Sequence, residues 1–207
     1  MLLTVIIIVL FLILKFIYDE YTYIEHMFQY LFMGRPWDAI PLPKNIKSMI
    51  VKILNELPPN KYTFIDFGCA EGNVIDLVYN KTDKAVCVEL KKELTDKAEK
   101  RFKDIKNIEI LNQDMKDYRY KSIPTILFLY EPLWSMKKED ALPLYKSIFE
   151  KIPKDINPFY IIYVSGIKKH LDESFFNSLG FKTDKHYKLR RFLGLASNNV
   201  FVFSRNA

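Results

Sequence analysis

The sequence predicts an α/β fold, with a mostly parallel β-sheet, helices on both of its faces and an antiparallel hairpin at the C-terminal end. Short apolar runs alternate along the chain with amphipathic stretches of helical periodicity. This alternation favours a parallel sheet, because each helix returns the chain to the edge at which the previous strand began. The last two apolar runs have no helical stretch between them, so we expect them to pair in antiparallel fashion.

The individual elements follow from these patterns in chain order. The first helix, Lys44–Leu57, has apolar residues at helical spacing and is ended by Pro58. The predicted strands are the apolar runs Tyr62–Phe67, Ala85–Leu90, Ile108–Leu111, Thr125–Tyr130, Phe159–Val164, Phe181–Tyr187 and Val200–Phe203. The other predicted helices are the amphipathic stretches Gly72–Tyr79, Lys92–Phe102, Lys138–Ile152 and His170–Leu179.

Composition places the chain among ordinary globular proteins. It has 207 residues, of which 49% are hydrophobic and 27% are charged, and this excludes a disordered or acidic low-complexity protein. The net charge of +6 is spread out: lysines and acids alternate through Lys91–Lys106, which is typical of a solvated helix face. The densest basic stretch, Lys182–Arg191, is interpreted as an exposed strand and loop, or as a contact for phosphate groups or an anionic membrane.

The N-terminal segment predicts a membrane anchor over residues 1–20. Met1 to Leu14 is apolar apart from Thr4, and a helix of about 18 residues, roughly 27 Å long, lies at the short end of what spans a bilayer. A buried helix of a soluble domain and a cleaved signal peptide are the alternatives. The signal peptide lacks support, because no basic residue precedes the run and no small-residue cleavage site follows it. Residues 21–43 are expected to form an aromatic, amphipathic linker, and residues 44–207 the folded domain.

The two cysteines, Cys69 and Cys87, are too few to staple a secreted scaffold, so a reducing compartment is expected. We interpret them as small core residues, because apolar strand positions flank both. No cysteine–histidine spacing resembles a zinc site, and no metal is predicted.

The stretch from Phe64 to Ile75 carries the strongest functional signal. A buried strand leads into a turn of small residues and then into a helix, and such a turn lets a ligand approach the backbone closely. A nucleotide-like ligand at this point is the usual expectation for the fold. The dinucleotide fingerprint fits poorly, because Asn73 occupies its last small position and Glu71 would put a negative charge near a pyrophosphate.

The pattern Asp66-x-Gly68-x-Ala70-x-Gly72 instead resembles the first motif of class I S-adenosylmethionine (SAM)-dependent methyltransferases, with Ala70 in place of the usual middle glycine. Further matches follow in the family's order. They are Glu89 at the end of the next strand, Asn112-Gln113-Asp114-Met115 after the third, and Glu131-Pro132-Leu133-Trp134 after the fourth, which is similar to the Asp/Asn-Pro-Pro-aromatic motif of amino-group methyltransferases. The resemblance implies a Rossmann-like class I methyltransferase fold, here behind a transmembrane helix, and SAM as the cofactor.

The resemblance also implies roles for individual residues. Glu89 would accept the ribose hydroxyls and Asp114, with Asp117 as a rival, the adenine amine, while Asp66 would orient the methionine amino group or hold the turn. The complete set of implied cofactor-binding residues is Asp66, Phe67, Gly68, Cys69, Gly72, Glu89, Leu90, Asp114 and Met115. The implied catalytic set is Glu131, Pro132 and Trp134. Alternatively, Glu131 caps the following helix and Trp134 packs in the core.

The anchor, the linker with Pro41-Leu42-Pro43 and the cofactor motif are together similar to the membrane-anchored protein-lysine methyltransferases of mitochondria and their prokaryotic relatives. This implies a single-pass membrane protein whose catalytic domain faces a reducing compartment, cytosolic or organelle-matrix, and methylates a protein at the membrane surface. The alternatives are a nucleic-acid or small-molecule amino-methyltransferase, of which nucleic acid is not favoured, and a catalytically silent, membrane-tethered binding module.

Overall fold

The structure confirms a mostly parallel sheet with an antiparallel C-terminal hairpin. A computed structural model describes residues 3–14, 32, 42–133, 135–165, 170–190 and 197–205. The strands of the 7-stranded sheet lie in the order β3-β2-β1-β4-β5-β7-β6. Strands β1 to β5 pair in parallel, whereas β7 pairs antiparallel with both β5 and β6.

The observed elements agree closely with the predicted ones. The strands are β1 Thr63–Phe67, β2 Lys84–Glu89, β3 Ile108–Asn112, β4 Thr125–Tyr130, β5 Phe159–Ser165, β6 Lys182–Arg190 and β7 Ser197–Arg205. The helices are α1, residues 3–14, followed by α2 Lys44–Glu56, α3 Asn73–Val78, α4 Lys92–Phe102, α5 Lys138–Phe149 and α6 Glu173–Ser178. A short 3₁₀ helix, Met115–Asp117, follows β3.

The last helix is shorter than the predicted range, which began at His170. The side chain of Asp172 accepts a hydrogen bond from the backbone N–H of Phe175 at 3.0 Å, and α6 therefore begins at Glu173. His170 and Leu171 lie before this cap, and both are buried. Both residues were included in the predicted helical stretch, but neither belongs to α6.

The core lies on both faces of the sheet, as the alternation predicts. Helices α2, α3 and α4 cover one face through residues such as Ile50, Ile75 and Phe102. Helices α5 and α6 cover the other face through residues such as Tyr145 and Phe176. All of β1 and β5 is buried, and parallel strands covered on both sides are expected to be apolar throughout.

Segment α1 is helical, and its apolar side chains from Leu3 to Leu14 are exposed, with exposed fractions from 44% to 70%. These side chains therefore do not belong to the core. The alternative of a buried helix requires that they do. Within the described ranges, no helix is both long enough and apolar enough to cross a membrane. The rest of the predicted anchor, and the predicted linker apart from Phe32, Leu42 and Pro43, lie outside the described residues.

The two charged stretches lie on the surface, as predicted. The lysines of α4 are exposed, and so are Lys182, Lys185 and Lys188 of β6, the strand at one edge of the sheet. The Nζ atom of Lys185 lies 2.5 Å from Oε2 of Glu56 on α2. This ion pair is exposed to solvent, so it contributes little to the stability of the fold.

Candidate active site

The candidate site lies at the carboxyl ends of β1, β2 and β4. From β1 the chain proceeds to β2 and β3 on one side, whereas β4 and β5 lie on the other side. The crevice between β1 and β4 is therefore the point at which the strand order reverses, and ligands of open α/β sheets bind at such points. The turn after β1, Gly68–Gly72, lies in this crevice, with Pro132 after β4 beside it.

The backbone of this turn adopts left-handed conformations at Gly68 (φ 77°), Ala70 (φ 49°) and Gly72 (φ 78°). A Cβ atom on Gly68 would lie 3.1 Å from Cβ of Pro132, and one on Gly72 would lie 2.5 Å from Cε2 of Phe102. Glycine is therefore required at Gly72 for both conformation and space. Ala70 bears the strain of a conformation that L-residues rarely adopt, which is a feature of binding sites more than of structural turns.

Asp66, the fourth residue of β1, is a buried carboxyl group with an exposed fraction of 3%. Its Oδ2 atom has no hydrogen-bond partner among the described residues. Burial and the nearby negative charge of Glu89 raise the pKa of Asp66 to about 8, since both disfavour the ionised form. A ligand that brings a positive charge or a hydrogen-bond donor to this oxygen would satisfy it.

Glu89 ends β2 and holds the turn through its side chain. Oε2 accepts a hydrogen bond from the N–H of Ala70 at 3.1 Å, and Oε1 accepts one from the N–H of Lys91 at 2.9 Å. Its exposed fraction is 7%. Each carboxylate oxygen has a second lone pair, so Glu89 can still accept hydrogen bonds from two hydroxyl groups of a ligand. Glu89 is therefore a buried part of the turn and not a solvated strand end.

The residues at the carboxyl ends of β2 and β3 lie on the side of β1 away from β4. Leu90 is 66% exposed, and Met115 is partly buried against the core. Asp114 caps the 3₁₀ helix, because its Oδ1 accepts from the N–H of Lys116 at 2.9 Å. Asn112 belongs to the motif quoted from the sequence, but the sequence analysis gave it no role of its own. Its Nδ2 donates to the carbonyl oxygens of Glu89 at 3.1 Å and Leu90 at 3.0 Å, and so ties the ends of the two strands together.

Glu131 follows β4 and is buried, with an exposed fraction of 6% and a left-handed backbone (φ 39°). The Tyr163 hydroxyl on β5 donates a hydrogen bond to its Oε1 at 3.3 Å. Burial and the charge of Glu131 raise the pKa of Tyr163 above its usual range, so this phenol remains a donor. The alternative that Glu131 is the N-cap of the next helix is wrong, because Lys137 occupies that position in α5.

Two other predicted site residues can be placed, and a third cannot. The Phe67 side chain packs in the core with its ring centroid 5.5 Å from that of Tyr118, so only its backbone faces the turn. Pro132 lies against Gly68. Trp134 lies outside the described residues, and its predicted contact with a substrate stays a prediction.

Cys69 and Cys87 are buried, as predicted, but they are joined in a disulfide that the sequence analysis did not predict. Their Cα atoms lie 5.4 Å apart. The bond links the turn after β1 to the adjacent strand β2. Parallel pairing sets the two residues side by side, because Asp66 is opposite Cys87 and Cys69 follows shortly after Asp66.

Comparison with solved structures identifies the fold as that of the SAM-dependent methyltransferases. The N-methyltransferase NodS from Bradyrhizobium japonicum matches with a TM-score of 0.62 and 8% identity, over 79% of this chain and 96% of its own. The magnesium protoporphyrin IX methyltransferase from Synechocystis, solved with bound SAM, matches with a TM-score of 0.57 and 12% identity, over 78% and 79%. A putative RNA methyltransferase from Pyrococcus horikoshii matches with a TM-score of 0.58 and 18% identity, over 80% and 86%.

At these identities the likeness establishes the fold and leaves the substrate open, since the neighbours include both a magnesium protoporphyrin IX methyltransferase and a putative RNA methyltransferase. No protein-family model and no curated protein sequence matches the chain. The chain therefore has a Rossmann-like methyltransferase fold, with two buried carboxylates at the point where this fold binds its ligand.

Proposed function

We propose that this chain is a SAM-dependent N-methyltransferase. The observation that carries the proposal is the pair of buried carboxyl groups, Asp66 and Glu89, at the ends of adjacent strands around a left-handed turn. Burying Asp66 without a partner for Oδ2 costs free energy unless a ligand supplies one. The ammonium group of the methionine part of SAM supplies both a donor and a positive charge, and SAM has no phosphate for these carboxylates to repel.

The remaining residues of the crevice fit the rest of this cofactor. Glu89 is placed to accept the ribose hydroxyls while it holds the N–H of Ala70. Leu90, a large apolar side chain that is 66% exposed, would be covered by the adenine ring, and burial of such a side chain contributes roughly 1.5–3 kcal/mol. Met115 would lie against the ring, and Asp114 would accept its exocyclic amine.

When bound, SAM supplies a methyl group carried on a positively charged sulfur. The chain's contribution is to orient the acceptor nitrogen and to accommodate the proton that this nitrogen loses. Glu131 is proposed for both tasks, because it directly precedes Pro132, which lies against Gly68 of the turn, and its Oε1 is held by Tyr163. A carboxylate there also stabilises the positive charge that develops on the nitrogen as the new bond forms.

The proposed acceptor is a protein lysine at a membrane surface, with the catalytic domain facing a reducing compartment. The support for the membrane is the apolar segment 3–14, whose side chains are exposed and have no place in the core. The second candidate is a nucleic-acid or small-molecule amino-methyltransferase. The observation in its favour is the set of exposed lysines on the edge strand β6: Lys182, Lys185 and Lys188.

The first experiment is a calorimetric titration of S-adenosylhomocysteine, the reaction product, into the full chain in a mild detergent. We expect micromolar binding that falls at least about tenfold in Glu89→Ala, since the ribose hydroxyls lose a charged acceptor. Glu93→Ala, on the exposed face of α4, is the matched control and should bind as the wild type does. A folded chain that does not bind would contradict the proposal and favour a tethered binding module.

The second experiment identifies the acceptor. The full chain is incubated with SAM labelled in its methyl group, once with membrane proteins and once with total RNA from cells that produce it. Label recovered as methyl-lysine after protein hydrolysis supports the first candidate, whereas label in RNA supports the second. Glu131→Gln should lower incorporation at least about tenfold without changing product affinity, and an equal loss of both would assign Glu131 a structural role.

A further inference from the structure

The disulfide Cys69–Cys87 lies within the wall of the candidate cofactor site. Cys69 follows Gly68 in the turn, and Cys87 lies on β2 two residues before Glu89. Both side chains are buried, with exposed fractions of 5% for Cys69 and 0% for Cys87. The only covalent link between non-adjacent residues in the described part of the chain therefore joins the two segments that carry Asp66 and Glu89.

The same two segments are also joined by hydrogen bonds. The N–H groups of Gly68 and Cys69 both donate to the Val88 carbonyl oxygen, at 2.9 and 3.4 Å. The N–H of Ala70 donates to Glu89 Oε2 at 3.1 Å. Ala70, the donor of the last of these bonds, has a left-handed backbone, which an L-residue adopts at a cost. The disulfide holds the residue before Ala70 against β2 and so opposes relaxation of this strained conformation.

We infer that Cys69 and Cys87 form a redox-sensitive site that sets the affinity of the turn for its cofactor. The inference rests on the proposed function, because it takes the turn to be part of a SAM site. In the reducing compartment proposed above, a disulfide is a reversible state of the protein more often than a permanent bond. Oxidation holds the turn in its binding conformation, and reduction releases it.

The chemistry is thiol–disulfide exchange with a dithiol, the reductant that the inference requires. A thiolate of the dithiol attacks Sγ of Cys69, which is the more exposed of the two residues, and Cys87 leaves as a thiolate that takes up a proton. The second thiol of the reductant then displaces Cys69 from the mixed disulfide. The protein gains two electrons and two protons and becomes a pair of thiols, while the dithiol becomes a disulfide. Oxidation is the reverse of these steps.

The expected effect on binding follows from the fraction of time that the turn spends in its binding conformation. If the reduced turn spends about a tenth of its time in the binding conformation, the apparent Kd for the cofactor rises about tenfold. Linkage then requires the reciprocal effect: bound ligand must favour the disulfide by the same factor and slow its reduction. This second effect can be measured without enzyme activity.

The test uses the full chain in detergent, oxidised or treated with dithiothreitol, with the redox state established by intact mass and thiol titration. We expect the reduced protein to bind S-adenosylhomocysteine about tenfold more weakly, and saturating S-adenosylhomocysteine to slow reduction of the oxidised protein. The double variant Cys69→Ala, Cys87→Ala should bind like reduced wild type and should not respond to dithiothreitol. Circular dichroism of the reduced wild type verifies that it remains folded.

The outcomes separate the two proposals. Equal affinity of both redox forms would overturn the redox inference and leave the cofactor assignment intact. Tighter binding by the reduced form would also overturn it, as would two free thiols that persist after treatment with an oxidant. If neither form binds S-adenosylhomocysteine, the SAM site itself is refuted and the inference falls with it.

Discussion

Replacing Asp66 with Asn should make the protein more stable at neutral pH and less able to bind its cofactor. In the folded chain, burial and the charge of Glu89 raise the pKa of Asp66 to about 8, whereas an unfolded chain has an Asp pKa of about 3.9. Between these two values the folded state retains a proton that the unfolded state has released. Folding therefore loses free energy as the pH rises through this window, in contrast to the usual behaviour of a carboxylate paired with a cation.

One proton of difference changes the free energy of unfolding by about 1.4 kcal/mol for each pH unit. The side chain of Asn does not titrate, so Asp66→Asn lacks this loss of stability with rising pH. The free energy of unfolding of the variant relative to wild type should therefore increase by about 2–3 kcal/mol from pH 5 to pH 7. Above pH 8 the difference should become constant, because both states of the wild-type chain are then ionised. Equilibrium urea unfolding of the full chain at pH 5, 6, 7 and 8 measures it.

The affinity of the wild-type chain for its cofactor should increase with pH, whereas its stability should decrease. A ligand ammonium group favours ionised Asp66, so binding near pH 7 should release a proton and wild-type affinity should increase towards pH 8. Calorimetry in buffers of different ionisation enthalpy measures this release, which Asp66→Asn should abolish together with most of the affinity. The control is Asp104→Asn, whose side chain is 85% exposed and should affect neither stability slope nor binding. If the free energy of unfolding of Asp66→Asn changed with pH as that of the wild type does, the assignment of Asp66 as a buried, protonated group would be refuted.

Three further predictions concern the turn and its surroundings. Gly72→Ala should lower the free energy of unfolding by about 2–5 kcal/mol in urea titrations, because residue 72 has a left-handed backbone and its new Cβ would lie 2.5 Å from Phe102. The control is Gly180→Ala, because Gly180 is equally left-handed but a Cβ there would have no atom within 4 Å. This control should lower the free energy of unfolding by only about 1–2 kcal/mol. Tyr163→Phe should reduce methyl incorporation several-fold, about 1 kcal/mol, with product affinity unchanged, and a matching loss of affinity would contradict the assignment. Asn112→Ala should weaken product binding, as measured by calorimetry, because the ends of β2 and β3 lose their side-chain link.

The sequence predicts the fold well, because the signals that specify it are local. Apolar runs bounded by turn residues place the strands within a few positions, and the absence of a helical stretch before Val200 predicts the antiparallel hairpin. Asp66 and Glu89 were found because each stands at the end of such a run. The position of Glu89 follows from parallel pairing, which brings the carboxyl ends of β1 and β2 to one edge.

The residues that the sequence analysis missed depend on contacts between distant segments. Tyr163 supports Glu131 from β5, and only the sheet order makes these strands neighbours. The tyrosines of β5, in a strand that is otherwise largely apolar, were an available signal, since a buried hydroxyl needs a partner. The bond between Cys69 and Cys87 had no comparable signal, because two apolar-flanked cysteines fit equally well as separate core residues.

The position of β7 inside the sheet determines when the sheet can be completed during synthesis. This strand is the last of the described strands along the sequence, yet it lies between β5 and β6, and β6 pairs with no other described strand. During synthesis, β5 therefore presents an open, apolar edge until residues 197–205 have left the ribosome. Until then, the nascent chain exposes to its neighbours the kind of strand edge that promotes aggregation.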